Sequence, residues 1–381
     1  MVLEARVQSS ITRHAWNRDC SLLAVVPNDN TVVIMKKPAT ADGAWERVAV
    51  LSEHDALVTD VAWAPNTNRI VTTSQDRNAY VWTQQPSGEW KPMLVILRIS
   101  AAATRVEWSP DEQKFAVGSG AKVVPVCYYE EGNNFWVSKM IKEGQRSTVL
   151  SVTWHPSMPL LATACTDYKV RIFSSYLKHL DGKCATPWGA AAKFGTLLYE
   201  WEAHGWVLDV CFSPLGDALA LSAQNSTVSF VDLASAAAAT ATSPTAAEAP
   251  LTLRLSELPL SQLLFLPTGT LVGAGHGMEP ILFEKVDGGW RQRGVMHGAK
   301  KAEGAEAGSI AATRRMFQAQ VSTGRGESAA SAARLESAHQ FAICGLSNFH
   351  SNLGSAVVEF TSSALDGKIA FWTREDLASA G

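Results

Sequence analysis

The stretch VTDVAWAPNTNRIVTTSQDRNAYVW, Val58–Trp82, holds the pattern by which the rest of the chain can be read. Apolar and polar residues alternate up to Trp63, and Ala64-Pro65-Asn66 makes a turn. A second apolar run passes into the small residues Thr72–Ser74. The polar turn Gln75–Asn78 follows, and a third run ends on Trp82. Short β-branched and aromatic runs between Pro, Asn and Asp read as strands, not helix turns. The phrase recurs at His14–Met35, Thr104–Val126, Val149–Phe173, Trp206–Val231 and, more divergently, Ser261–Leu282. A last copy, Val357–Trp372, is legible mainly in its second half.

The aromatics that end the first strands, Trp16, Trp63, Trp108, Trp154, Phe212 and Phe265, are spaced by 47, 45, 46, 58 and 53 residues. A period in the forties with period-2 alternation inside each strand is the signature of WD repeats, each repeat one blade of a propeller. Seven copies predict an all-β, seven-bladed WD-repeat β-propeller forming a single domain over 1–381. Outer strands are expected in Ala44–Ser52 and Glu89–Ile99, and Leu3–Gln8 is expected to close the ring on the seventh blade.

Asp76 precedes Trp82 by six residues, as Asp167 precedes Phe173 and Asp366 precedes Trp372; Asp29–Met35 and Asn225–Val231 repeat the interval with weaker residues. An Asp in the turn between second and third strands can accept hydrogen bonds from a His, a Ser and the backbone. His54, Ser74, Asp76 and Trp82 form the full set, so His54 with Asp76 reads as a blade brace rather than an acid–base dyad.

Catalytic signals are weak. The nine histidines include no HExxH, there is no GxSxG, and the GSG at 118–120 lies in a blade turn without the helix and Lys-Ser/Thr of a phosphate loop. No repeated set of carboxylates or histidines is evident for the propeller axis. The expectation is a non-enzyme without cofactor or metal.

A net charge of −3 and a pI near 6.3 give no global attraction to nucleic acid or anionic membranes. Six cysteines at 20, 127, 165, 184, 211 and 344 include no CxxC, which reads as reduced thiols in a cytosolic protein. The N-terminus lacks the apolar core of a signal peptide, and Met93–Ile99 is too short to span a bilayer. A soluble, cytoplasmic protein is expected.

Two segments break the repeat. Ala234–Pro250 is alanine-rich and almost uncharged, and is read as an irregular surface loop in preference to a helix. The second, about 295–337, lies between the sixth and seventh copies. From Arg291 to Arg325 it holds Arg291, Arg293, Lys300, Lys301, Arg314, Arg315 and Arg325 against Glu303 and Glu306, a net of 7 − 2 = +5. Ser309–Val321 reads as a short helix with Ser309 as N-cap and Ile310, Phe317 and Val321 on one face. A disordered insert and a basic finger for an acidic partner compete evenly on these grounds.

Longer words outside the repeat positions carry a resemblance. DRNAYVWT (76–83), WKPMLVILRI (90–99), KFAVGSG (114–120), RSTVLSVTWHP (146–156), RIFSSYLK (171–178), PWG (187–189), GWVLDVCFSP (205–214), VGAGHGMEPILF (272–283), MFQ (316–318) and LDGKIAFW (365–372) are similar to the WD-repeat subunit family of the actin-related protein 2/3 complex. The resemblance implies a subunit of a seven-protein assembly that nucleates actin branches on a pre-existing filament. It further implies contacts with actin-related protein 2, with small helical subunits and, nearby, with nucleation-promoting factors, in the actin cytoskeleton. It places a filament-contacting helix in the insert, which by position falls on Ile310–Val321, with Phe317 and Gln318 the matching residues. Ile310, Arg314, Arg315, Met316, Phe317 and Gln318 are the expected contacts, although Arg314, Arg315 and Met316 depart from the mixed charge of the family. The alternative is a generic WD adaptor, for example in a ubiquitin ligase or chromatin assembly, reading a peptide at its channel face.

Overall fold

The computed structural model describes residues 3–38, 43–240, 249–286, 289–296, 337–349, 351–353 and 356–380. Among them seven antiparallel sheets are arranged as blades of a propeller, and an eighth, two-stranded sheet pairs Ala185–Thr186 with Gly189–Ala190. Blade 1 comprises Arg13–Trp16, Leu22–Val26, Val32–Lys36 and Glu46–Leu51, and blade 2 comprises Val58–Trp63, Arg69–Ser74, Asn78–Gln84 and Trp90–Ile96. Blades 3 to 6 start at Ala103–Trp108, Val149–Trp154, Val207–Phe212 and Leu260–Phe265. Blade 7 is built from Ile343–Asn348, Ala356–Ala364 and Lys368–Thr373, and its outer strand comes from the other end of the chain. Leu3–Arg6 pairs with Lys368–Thr373 in the register Leu3↔Phe371 to Arg6↔Lys368.

The core is a set of seven seams, each filled from two neighbouring blades. The first-strand aromatic of each of blades 2 to 6 packs against the blade before it: Trp63 in the 1–2 seam, Trp108 in 2–3, Trp154 in 3–4, Phe212 in 4–5 and Phe265 in 5–6. Trp16 does the same across the 7–1 closure. Second strands are covered on both faces, hence unbroken small and apolar runs such as Leu160–Cys165 and Ala218–Ala223, buried throughout. Outer strands alternate, as in Phe135–Ile141, because one face meets solvent.

Blade 7 lacks the aromatic at its first-strand position, where Asn348 stands and donates to Phe265 O of blade 6; Phe349, one residue on, packs in the opposite, 7–1 seam. This is why its first strand, ICGLSN, was not visible in the repeat. A second correction concerns the alanine-rich segment: its start, Leu233–Ala239, is a helix, α1. Asp232 caps it by accepting from Ser235 N, and Leu233, Ala236 and Ala237 are buried. A hydrogen bond at the cap and a buried alanine face outweigh the low complexity of the run. Residues 241–248 lie outside the described residues.

Ring closure depends on one glycine. Gly367 adopts φ +74, and its carbonyl accepts from Val7 N at 2.9 Å and Gln8 N at 3.2 Å. A Cβ at this position would fall on the Gln8 carbonyl. Gly367→Ala is therefore expected to cost about 1–3 kcal/mol, read as a lower urea midpoint, and to expose the first eight residues to protease. A wild-type midpoint would show that the closure tolerates the strain.

Candidate functional site

Two groups of polar residues stand out from the apolar seams, hydrogen-bonded chains inside blades and a charged ring at the axis; the two ends of the long insert form a third place of interest. In blade 2 the buried His54 donates from Nδ1 to Asp76 Oδ2 at 2.7 Å. Its Nε2 accepts from Thr72 Oγ1 at 2.8 Å, and that hydroxyl accepts Trp82 Nε1–H at 3.0 Å. The chain of bonds sets the neutral tautomer, and burial pushes His54 below the usual histidine range even though Asp76 opposes it. Ser74 is not on the carboxylate: it bonds Ala56 O and receives Asp76 N–H. Thr72, two residues earlier, is the member that sequence reasoning missed.

Blade 7 repeats the arrangement. Trp372 Nε1 donates to Ser362 Oγ at 2.8 Å, Ser362 lies 2.8 Å from His339 Nε2, and His339 Nδ1 faces Asp366 at 3.4 Å. The offsets of four residues from Thr72 or Ser362 to the Asp, then six to the Trp, would have found both hydroxyls. Blade 4 differs, because Gln145 takes the histidine place and bonds Thr163 Oγ1. Asp167 turns instead to the buried Arg171, which also holds Glu200.

At the axis the residues three before each first-strand aromatic form a ring: Arg13, Asp60, Arg105, Ser151, Asp209 and Gln262, with Gly345 in blade 7. This one repeat position is thus occupied by unlike residues and not by a repeated set of carboxylates or histidines. Asp60 lies 3.4 Å from Arg13 Nε and 3.6 Å from Arg105 Nε, and accepts Val106 N–H of the next blade at 2.8 Å. Arg105 crosses to Gln262 Oε1 at 2.9 Å. Asp209 accepts from Ser151 Oγ at 2.6 Å and from Leu263 N of the next blade at 2.7 Å. Above the ring is a cup of about 540 Å³ that also includes Leu150, Leu208 and Cys344. The donors and acceptors point across seams, so what this ring can do chemically is hold blades in register.

Glu107, beside the ring, accepts from Thr153 Oγ1 at 3.1 Å and Trp154 N at 3.2 Å. Burial raises its carboxyl to about 7, against the pull of Trp154 N–H and Arg105. A carboxyl raised above its unfolded value contributes stability that is present in acid and lost as pH rises through about 7. Glu107→Gln should remove that loss, on the order of 1–2 kcal/mol at the channel wall, and flatten melting temperature against pH between 5 and 8. An unchanged slope would remove Glu107 as its source.

The insert begins and ends on one base. Met296 is buried and donates its N–H to Pro280 O at 2.8 Å, and Ala338 joins Met296, Leu282 and Trp372 in the 6–7 seam. Arg291 and Arg293 belong to the outer strand of blade 6, not to the insert. Arg291 is paired with Glu284 at 2.6 Å, and Arg293 donates to Ala378 O at 3.3 Å. Over 297–336 the count is therefore six basic residues against four acidic, a net of 6 − 4 = +2. Ile310, Arg314, Arg315, Met316, Phe317 and Gln318 lie outside the described residues.

The family model for the WD domain, G-beta repeat, matches residues 45–83, 137–174 and 195–232. Each match takes the outer strand of one blade and the first three of the next. The chain is 39% identical over 378 residues to actin-related protein 2/3 complex subunit 1 of Schizosaccharomyces pombe, covering 94% of this chain and 96% of that protein. It is 38% identical to subunit 1B of Arabidopsis thaliana, over 98% of this chain and 96% of the relative. With subunit 1A-B of Xenopus laevis it shares 42% over 74% of each chain. The chain belongs to the actin-related protein 2/3 complex subunit 1 family. For a member of this family the axial ring and the blade chains are parts of the frame.

Proposed function

We propose that this member of the subunit 1 family is a scaffold subunit of an actin-related protein 2/3 complex, without chemistry of its own, working in the cytoplasm at actin-rich structures. It holds actin-related protein 2 and small helical subunits in register and so supports nucleation of branched filaments, near the docking place of nucleation-promoting factors. The observation that carries this reading is the likeness along 94% of the chain to a relative bearing the complex's name. A ring with every seam filled suits a part whose work is to keep other parts at fixed distances.

The finer reading is that residues 297–336 reach a mother filament through Ile310, Arg314, Arg315, Met316, Phe317 and Gln318. In support, both ends of that stretch start from one buried cluster, which gives a tip contact a firm base. The test is purification of the tagged chain from cell extract. Actin-related proteins 2 and 3 should co-elute in constant ratio with it and with a fixed set of small companions. Recovery as a lone monomer, or with ubiquitin-ligase or chromatin proteins, would overturn the proposal.

A further inference from the structure

The connections from the outer strand of one blade to the first strand of the next emerge on one face, because every first strand runs the same way. Those entering blades 5, 6 and 7 each expose a large apolar side chain: Trp206 is 45% exposed, Leu258 57% and Phe341 56%. Leu365, in the adjacent turn of blade 7, adds a fourth. The equivalent connections into blades 1, 3 and 4 present Gln8–Ser10, Ser100–Ala102 and Arg146–Thr148, and among these others only Leu57, into blade 2, is comparable. Bulky apolar side chains on three consecutive loops are costly to leave in water, and such clusters mark interaction surfaces.

The loop tips themselves are acidic: the described residues 202–206, 224–226, 256–259, 276–280, 337–342 and 365–367 include Glu202, Glu257, Glu279 and Asp366 but no Lys or Arg, and Lys169, Arg254 and Lys368 stand in the strands just beyond them. Asp366 is engaged by His339. Glu257, next to Leu258, accepts Gln292 Nε2 through Oε1 at 3.2 Å, while its Oε2 is buried and has no hydrogen-bond partner among the described residues. A buried carboxylate oxygen left in that state is stabilised by an arriving cation.

We infer that this half-ring on blades 5 to 7 docks a basic amphipathic segment of another protein. The apolar side chains of that segment cover Trp206, Leu258 and Phe341, and its Lys or Arg reaches Glu257 and Glu202. The surface differs in sign from the 297–336 stretch, whose net-basic composition suits an acidic partner, so the two serve different contacts.

Fluorescence anisotropy of a labelled peptide of Leu and Lys alone, spaced for an amphipathic helix, tests this with the full-length chain. A peptide of the same pattern in Leu and Glu is the comparison. The Leu/Lys peptide should bind saturably, and joint Trp206→Ala, Leu258→Ser and Phe341→Ser should weaken it by about tenfold or more. Glu257→Lys alone should weaken it too, which covers the case of a poorly folded triple variant. Leu215→Ser, at an 85% exposed position on the opposite face, should leave binding unchanged. Equal affinity in the variants, preference for the Leu/Glu peptide, or a chain that dimerises through this surface in sedimentation would each overturn the inference.

Discussion

Arg171→Ala is expected to destabilise the protein by about 3–5 kcal/mol at neutral pH, the scale for removing one partner of a buried ionic group. The side chain is fully buried, and its guanidinium reaches Asp167 Oδ2 at 2.7 Å and Glu200 Oε2 at 2.6 Å. Lys169 holds the other oxygen of Glu200 at 2.5 Å. Burial alone would raise the Glu200 carboxyl, yet Lys169 and Arg171 together hold it below the usual range. A lowered carboxyl contributes stability that is present above its unfolded value and lost as pH falls through its folded value. The deficit of the variant should therefore be greatest near pH 7 and shrink in acid, as Glu200 loses the charge that Arg171 holds. Urea midpoints at the two pH values read this directly. A loss no larger than that of the exposed Arg18→Ala, or one independent of pH, would show that the pair carries little.

Blade 4 also shows where reading by interval reaches its limit. Asp167 and Phe173 stand six apart like Asp76 and Trp82, so the sequence suggests one device in both blades. The Asp position is shared because both turns need a short acceptor: Asp76 takes Asn78 N–H and Asp167 takes Lys169 N–H. The rest of each network depends on residues distant in sequence. With His54 the Asp is bonded by a neutral imidazole, and with Gln145 in its place the free carboxylate is taken by Arg171. Such substitutions are invisible until the partners are in space, although the hydroxyl four residues before the Asp could have been found by offset alone.

The ring was legible because its information is local and repeated: strand periodicity, turn residues and a bulky residue at each seam. It faded in blade 7, where Asn348 holds the first-strand position and the 6–7 seam is filled by Leu266, Leu282, Phe360 and Trp372 instead. The axial set escaped for a different reason. Its members sit at one repeat position but run Arg, Asp, Arg, Ser, Asp and Gln: Asp60 lies between two arginines, while Asp209 is met by Ser151 and the Leu263 N–H. A search for like residues passes over an arrangement built from unlike ones. Charge counting failed similarly at Arg291, because its partner Glu284 is set by cross-strand register.

In a reconstituted actin-related protein 2/3 complex, Phe317→Ala with Arg314→Glu and Arg315→Glu is expected to lower branch density by about tenfold, with assembly of the complex unchanged. The size follows from what a tip contact must do. A segment that meets a filament through one turn or two has few side chains to spare, so an aromatic anchor and two charges are a large share of it. Phe317 brings the apolar area, and Arg314 and Arg315 bring attraction to an acidic surface that salt weakens over a Debye length of about 8 Å at physiological ionic strength. Raising salt should thus reduce branching by the wild-type complex more steeply than by the charge-reversed one. Filament co-sedimentation separates this role from a general defect, since the variant complex should stay intact while its pelleted fraction falls. Arg291→Ala makes a useful control, because that side chain already spends its charge on Glu284 inside blade 6. If branching and co-sedimentation both stay at the wild-type level in the triple variant, the 297–336 stretch is not a filament contact, and the scaffold reading stands without it.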